Sequence, residues 1–325
     1  MRERLRPVTT LVCVDTLARL LDAPRAREAF LLQMTMARPW AVHVQDEAPL
    51  TVLTLVRGRA WVSDSRGEVA ELRAGDVAVA RGPDPYTVGD EPGSPLRAVI
   101  HPDQRCTSET GVDIIDTYAL GVRTWGTDRH GPDAVLVGTY NLEGDVTRRL
   151  LAALPGLLVV PADRLDSPIA GVLAAEIGKD GAGQTAVLDR LLDVLLIATL
   201  RAWFDRPGGD APAWYRAQGD EIVGPALNCI YDDPARRWTV ASLASEVGVS
   251  RAALARRFTE LVGDPPMTFL TEWRLSLAAD LLREPGATLG SVAHQVGYSS
   301  PYALSTAFKR SRGISPRDHR LAAAV

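Results

Sequence analysis

Residues 244–266, ASEVGVSRAALARRFTELVGDPP, and residues 293–316, AHQVGYSSPYALSTAFKRSRGISP, are two versions of one pattern. Ala244, Val247, Gly248, Leu254, Phe258, Gly263 and Pro266 in the first match Ala293, Val296, Gly297, Leu304, Phe308, Gly313 and Pro316 in the second, which holds one extra residue after the turn. An internal repeat predicts that one supersecondary unit occurs twice.

Each repeated residue type has a steric role. A small Ala lets another helix cross closely, and a Gly a few residues on can adopt the left-handed conformation that ends a helix. Ser250 stands where an N-cap is wanted, and Ser300 followed by Pro301 is an N-cap with proline at the first helical position. Leu254 with Phe258, and Leu304 with Phe308, are four apart and share one helical face. Two helix-turn-helix units over about 239–259 and 288–310 are expected, each offering its second helix to a DNA major groove. Between them, Met267 to Leu282 reads as one helix with Phe269, Leu270, Trp273, Leu277 and Leu281 on its apolar side. At sixteen residues it spans ~24 Å, stiff enough to hold two readers on one side of a duplex.

Several stretches carry a family resemblance. Trp238-Thr239-Val240-Ala241-Ser242-Leu243-Ala244, Gly248-Val249-Ser250-Arg251, Arg256-Arg257-Phe258, Gly297-Tyr298-Ser299-Ser300, Ala307-Phe308-Lys309-Arg310 and Gly313-Ile314-Ser315-Pro316 resemble the AraC/XylS family of transcription regulators over residues 220–321. The resemblance implies sequence-specific binding to double-stranded promoter DNA, with RNA polymerase as a partner if the protein activates. The implied DNA-binding positions are Ser250, Arg251, Ala252, Ala255, Arg256 and Arg257 in the first unit. In the second they are Ser299, Ser300, Pro301, Tyr302, Ser305, Thr306, Lys309 and Arg310. The family often has a polar or bulky residue at Ala252 and Ala255 and an Arg at Thr306. Readout therefore leans on thymine methyls, phosphates and DNA shape, with the first unit dominating discrimination and the second anchoring register.

A length of 325 residues fits two domains. The net charge of −4 does not advertise a nucleic-acid binder, and from residue 220 onward there are 12 basic against 11 acidic residues. A favourable field must then be local, from Arg251, Arg256, Arg257 and the run Lys309, Arg310, Arg312, Arg317, Arg320. The N-terminus lacks a signal-peptide core and the longest apolar run, Val194 to Leu200, is too short for a bilayer, so no membrane partner and a cytoplasmic location are expected.

From Phe30 to Pro102, short apolar runs alternate with turns. Trp40–Val44, Leu50–Arg57, Arg59–Ser63, Val69–Leu72 and Val77–Ala80 read as strands, with Arg57-Gly58-Arg59 and Ala74-Gly75-Asp76 as turns. This predicts a small barrel or sandwich. Through Leu72-Arg73-Ala74-Gly75-Asp76-Val77 it resembles the cupin domain found in one branch of the same family. The paired histidines of metal-binding cupins are missing, Tyr86 stands where a histidine is often found, and His43, Tyr86 and His101 remain as candidate ligand-binding residues. No metal, cofactor or catalytic residue is assigned. Residues 146–206 read as helical, with an apolar band at Val187, Leu188, Leu191, Leu192, Leu195, Leu196 and Leu200 wide enough to be covered on two sides, either by the barrel and a second subunit or wholly within one subunit.

The expected architecture is a two-domain α+β chain. Residues 1–206 form a cupin-like β-barrel with flanking helices for sensing and dimerisation, 207–219 a linker, and 220–325 an all-α domain with two helix-turn-helix motifs. The expected function is a homodimeric, non-enzymatic, DNA-binding transcription regulator controlled by a small effector or signal at the N-terminal domain, whose barrel is either a small-molecule pocket or a vestigial scaffold. Two alternatives stand beside it: a metal-dependent cupin enzyme using His43 and His101, and a regulator sensing oxidants through Cys13 or Cys106.

Overall fold

The computed structural model describes residues 30–322 except 103, 141–143, 166 and 210, so Cys13 lies outside the described residues. The chain divides into two compact units, with the division between Pro212 and Ala213.

In the first unit, thirteen strands follow in order: β1 (Phe30–Met36), β2 (Ala41–Val44), β3 (Leu50–Arg57), β4 (Arg59–Asp64), β5 (Val69–Arg73), β6 (Val77–Arg81), β7 (Tyr86–Gly89), β8 (Leu96–Ile100), β9 (Cys106–Thr107), β10 (Ala119–Gly121), β11 (Thr124–Gly126), β12 (Asp133–Tyr140) and β13 (Leu157–Val160). They form two sheets rather than one closed barrel: a seven-stranded sheet in the order β10-β11-β1-β12-β3-β6-β13 and a six-stranded one in the order β5-β4-β7-β2-β8-β9. Their inner faces share a core that includes Met34, Val42, Leu53, Leu55, Val62, Leu72 and Val88.

The outer face of the larger sheet is covered by helices. Of α1 (Asp145–Leu151), α2 (Ile169–Glu176) and α3 (Gln184–Phe204), α2 packs on β3 and α3 on β13. Leu192 of α3 lies so close to Gly138 of β12 that a Cβ there would come within 2.6 Å of it. Covered on both faces, β3 is buried without a break from Leu50 to Leu55, and its sequence does not alternate apolar with polar residues. The expected helical stretch 146–206 is interrupted by β13, which pairs antiparallel with β6 in the register Leu157↔Ala80. Pro155-Gly156 before it and Pro161 after it bound a short apolar run, which is the signature of a strand and not of a helical turn.

Asp133, fully buried at the start of β12, ties three loops together. Its carboxylate accepts from Arg38 Nε at 2.7 Å and Nη2 at 2.6 Å, from Trp40 Nε1 at 3.0 Å and from the Arg59 amide at 3.1 Å.

The second unit is helical: α4 (Ala213–Arg216), α5 (Val223–Asp232), α6 (Val240–Glu246), α7 (Arg251–Val262), α8 (Pro266–Leu281), α9 (Leu289–Gln295), α10 (Pro301–Arg312) and α11 (Pro316–Ala322). Residues 213–219, expected as linker, are helical here, with α4 packed on α7. The single apolar side expected for the connecting helix is too narrow. Phe269 and Trp273 join an aromatic cluster with Tyr231 and Phe258, while Leu275, Ala278 and Ala279 face a second core with Val292, Leu304 and Phe308. Leu277 and Leu281 are only partly buried. Because each half of α8 fills a different core, its buried residues wrap most of the helix. Among the described residues, no helix is long and apolar enough to cross a membrane.

Candidate functional site

The two copies of the repeat fold alike, bond by bond. Thr239 caps α6 by accepting from the Ser242 amide at 3.0 Å while Ser242 Oγ accepts from the Thr239 amide at 2.9 Å; Thr288 and Ser291 repeat this at α9 with 3.1 and 3.2 Å. Both helices end in the same two bonds. The Val249 amide donates to Ala244 O at 2.9 Å and the Gly248 amide to Ser245 O at 3.3 Å, and in the second copy Tyr298 donates to Ala293 O at 2.8 Å and Gly297 to His294 O at 3.1 Å. These are the paired bonds of a Schellman end, which requires a left-handed residue at the glycine, and φ is +73° at Gly248 and +80° at Gly297. Ser250 and Ser300 then cap α7 and α10, each accepting from the amide three residues on at 3.2 Å.

Over their first ten residues α7 and α10 share one burial pattern, residue for residue. Leu254, Phe258, Leu304 and Phe308 are fully buried and clamp each helix to its partner. Arg251, Ala252 and Arg256 are exposed on α7, as are Pro301, Tyr302, Thr306, Lys309 and Arg310 on α10; Tyr302 is 82% exposed. Ala255, Ser300 and Ser305 are half-buried beside them, and Ser250 and Ser299 are exposed at the turns.

Within this shared frame the charges fall differently. Arg251 and Arg256 of α7 sit where α10 has Pro301 and Thr306, whereas Lys309 and Arg310 near the end of α10 correspond to Thr259 and Glu260 of α7. Arg251, at the first position of its helix, faces the positive end of the helix dipole; an anion bound there relieves that repulsion. It has no ion-pair partner among the described residues, and Arg256 has only a 3.8 Å contact to Glu260 with its side chain 77% exposed.

Other cations of the region are engaged within the unit. Arg257 donates from Nε to Asp220 at 3.0 Å, and that carboxylate also accepts from the amides of Ile222 and Val223 at the start of α5. Burial works to raise the Asp220 carboxyl, but these amides and the Arg257 guanidinium outweigh it and hold it below the usual range. Arg312 reaches Ser276 at 3.1 Å, and Arg320 reaches the carbonyls of Leu282 and Ala287. The local field expected from the whole basic run therefore narrows to Lys309, Arg310 and Arg317, with Arg251 and Arg256 on α7. The 37-residue separation of Arg257 from Asp220 leaves no local signal of that pairing in sequence. The capping boxes did leave one, since Thr239 and Ser242 recur as Thr288 and Ser291 at the repeat's own offset.

In the first unit, an apolar cavity of about 100 Å³ lies between the sheets, lined among others by Met34, Leu53, Val88, Trp125 and Val137. Tyr86, Asp46 and Cys106 also line it; among the described residues, Lys, Arg and His do not. Of the three residues expected to bind a ligand, only Tyr86 is placed here. His43 lies between Val42 and Val44, which face the cavity, so strand alternation turns it outward, where it meets Thr87 Oγ1 at 3.0 Å. His101 is held between Thr107 Oγ1 at 2.9 Å and Gln45 Nε2 at 3.2 Å. No cluster of three metal-ligating side chains occurs among the described residues. Burial, then Asp113, pushes the Cys106 thiol up to about 12, and burial raises Cys229 as well, the opposite of what a reactive thiolate needs.

Comparison with known proteins adds to this geometry. A cupin family model matches residues 15–205 and a helix-turn-helix domain model matches residues 243–322. A protein of Streptomyces lividans described as an AraC-like transcription regulator is 32% identical over 94% of this chain and 98% of its own length. A similarly described protein of Streptomyces antibioticus is 31% identical over the same shares. The HTH-type transcriptional regulator AlkR of Acinetobacter baylyi is 25% identical over 94% of this chain and 99% of its own.

Proposed function

The chain belongs to the AraC-like transcription regulators, and from that premise we propose that α6–α7 and α9–α10 are two helix-turn-helix readers that enter successive major grooves of a promoter. It is a DNA-binding regulator and not an enzyme, as the relatives matched over 94% of this chain in Streptomyces and Acinetobacter are transcription regulators. The observation that carries the two-reader assignment is the matching burial pattern of α7 and α10, which leaves the same positions of each helix facing out.

The readers divide the work. The first part of a recognition helix reaches base edges, and on α7 that part carries Arg251 and Arg256 between alanines, suited to guanine or phosphate. On α10 it carries Pro301, Tyr302, Ser305 and Thr306, with Lys309 and Arg310 further along for the backbone. Arg257, committed to Asp220, supports the fold of α5 and α7 and leaves DNA to its neighbours.

The β domain serves as the sensing unit, with the cavity between its sheets as the effector site. The chain acts in the cytoplasm as a homodimer, supported by an exposed apolar seam on α3: Val187, Leu191, Val194 and Ala198 follow each other at intervals of four, three and four residues, and Val187 and Val194 are 45% and 46% exposed. Where the protein activates, RNA polymerase is the further partner.

Binding to fragments from upstream of its own gene, measured by fluorescence anisotropy across a salt series, tests the assignment. Arg256→Ala and Lys309→Ala are expected to weaken binding, with the salt slope falling by about one per lost phosphate contact, while Arg257→Ala lowers thermal stability and leaves the affinity of the folded protein unchanged. Unchanged affinity and slope in both of the first two variants would remove α7 and α10 as the DNA-contacting surface.

A further inference from the structure

The cavity between the sheets has a chemistry that narrows what can occupy it. Its walls are apolar side chains from both sheets, and its polar groups include Tyr86 and Asp46, close enough for the Asp46 charge to act on the Tyr86 hydroxyl. Tyr86 is 6% exposed, and neither its hydroxyl nor that of Thr51 beside it has a hydrogen-bond partner of acceptable geometry among the described residues. A buried hydroxyl left without a well-formed bond is costly, and Tyr86 is one of the residues that line the cavity. Asp46 keeps one bond of its own, from the Ala48 amide at 3.1 Å, and burial raises its carboxyl above the usual value.

Charge and size both limit the occupant. Among the described residues that line the site there is a carboxylate and no cationic side chain, so an anion finds nothing there to offset its charge. At about 100 Å³ the space is smaller than the cavity of about 150 Å³ that takes up benzene, so it admits at most one small ring. We infer that this cavity takes a compact, uncharged, single-ring molecule carrying one hydroxyl group, its ring packed on Met34, Leu53 and Val137 and its hydroxyl bonded to Tyr86 and Asp46. The inference rests on reading the β domain as the sensing unit of a DNA-binding regulator, and specifies what that unit senses.

The full-length protein is titrated by calorimetry with p-cresol, toluene, benzoate and benzylamine, with operator binding measured on the same preparation. p-Cresol is expected to bind best and benzoate not detectably. Tyr86→Phe is expected to lose about tenfold for p-cresol and nothing for toluene. Leu53→Phe and Val137→Phe, which fill the space from paired positions on neighbouring strands of one sheet, are each expected to abolish p-cresol binding; either folded variant suffices. Benzoate or benzylamine binding more tightly than p-cresol, p-cresol binding to a folded cavity-filled variant as to the wild type, or equal losses for p-cresol and toluene in Tyr86→Phe would overturn the assignment. A preparation that binds operator but not p-cresol overturns this inference alone; one that binds p-cresol but no DNA overturns the regulator reading beneath it.

Discussion

At the scale of single residues, the carboxylates show how the chain's ionic groups are spent. Asp133 is buried with four donors around it. Burial pulls its carboxyl upward, and the bonds from Arg38, Trp40 and the Arg59 amide outweigh that and hold it below the usual value. Asp133→Asn leaves the Arg38 guanidinium facing a neutral amide and is expected to cost about 3 kcal/mol in chemical denaturation. Because the folded value is the depressed one, this contribution is complete above the ordinary Asp range near ~3.9 and is lost as pH falls through the folded value. Melting temperatures measured from neutral to acid pH are therefore expected to converge for wild type and variant at the acid end; a constant gap would mean that the charge is not what stabilises. Neither this network nor the Arg257–Asp220 pair was legible in sequence, since their partners lie 74 to 95 and 37 residues apart. Tyr86 could be singled out because it departs from a motif, whereas Asp46, with no motif to depart from, could not.

At the scale of elements, the repeat was the most legible part of the molecule. Its glycines, serines and prolines occupy the turns, caps and first helical positions that their types dictate. Yet the two turn glycines are not equivalent in their surroundings. A Cβ on Gly248 would meet nothing within 4 Å, while one on Gly297 would come within 2.5 Å of the Ala235 carbonyl. Gly248→Ala is expected to cost about 1 kcal/mol for the left-handed backbone alone, and Gly297→Ala distinctly more, read as shifts of the urea midpoint. Equal costs would show that the loop at Ala235 yields freely. The strands were less legible. β3, β5 and β6 follow from local pattern and turn glycines, but β13 was hidden inside a stretch that otherwise turns helical, and β12, covered on both faces, has apolar residues at four successive positions, Ala134 to Val137, in place of alternation.

For the whole molecule, the division into two units follows from the switch between short-strand and helical periodicity, with the boundary displaced to Ala213 because the segment after Pro212 contains the short helix α4. A closed barrel could not be told from two facing sheets by strand spacing. The seam on α3 makes a separate prediction about assembly. Val187→Asp with Val194→Asp is expected to shift sedimentation from dimer to monomer without altering far-ultraviolet circular dichroism, and a dimer that persists would move the interface elsewhere. What joins sequence and fold to the proposed function is the pair α7 and α10, which that proposal makes the reading helices on either side of α8. Selection of binding sites from random DNA, repeated with Arg256→Ala and with a combined Tyr302→Ala and Thr306→Ala variant, tests this most directly. Two blocks of preferred sequence about one helical turn, roughly 10 base pairs, apart are expected, the first relaxed only by the Arg256 change and the second only by the paired change. A single block, or one relaxed equally by both variants, would contradict two independent readers.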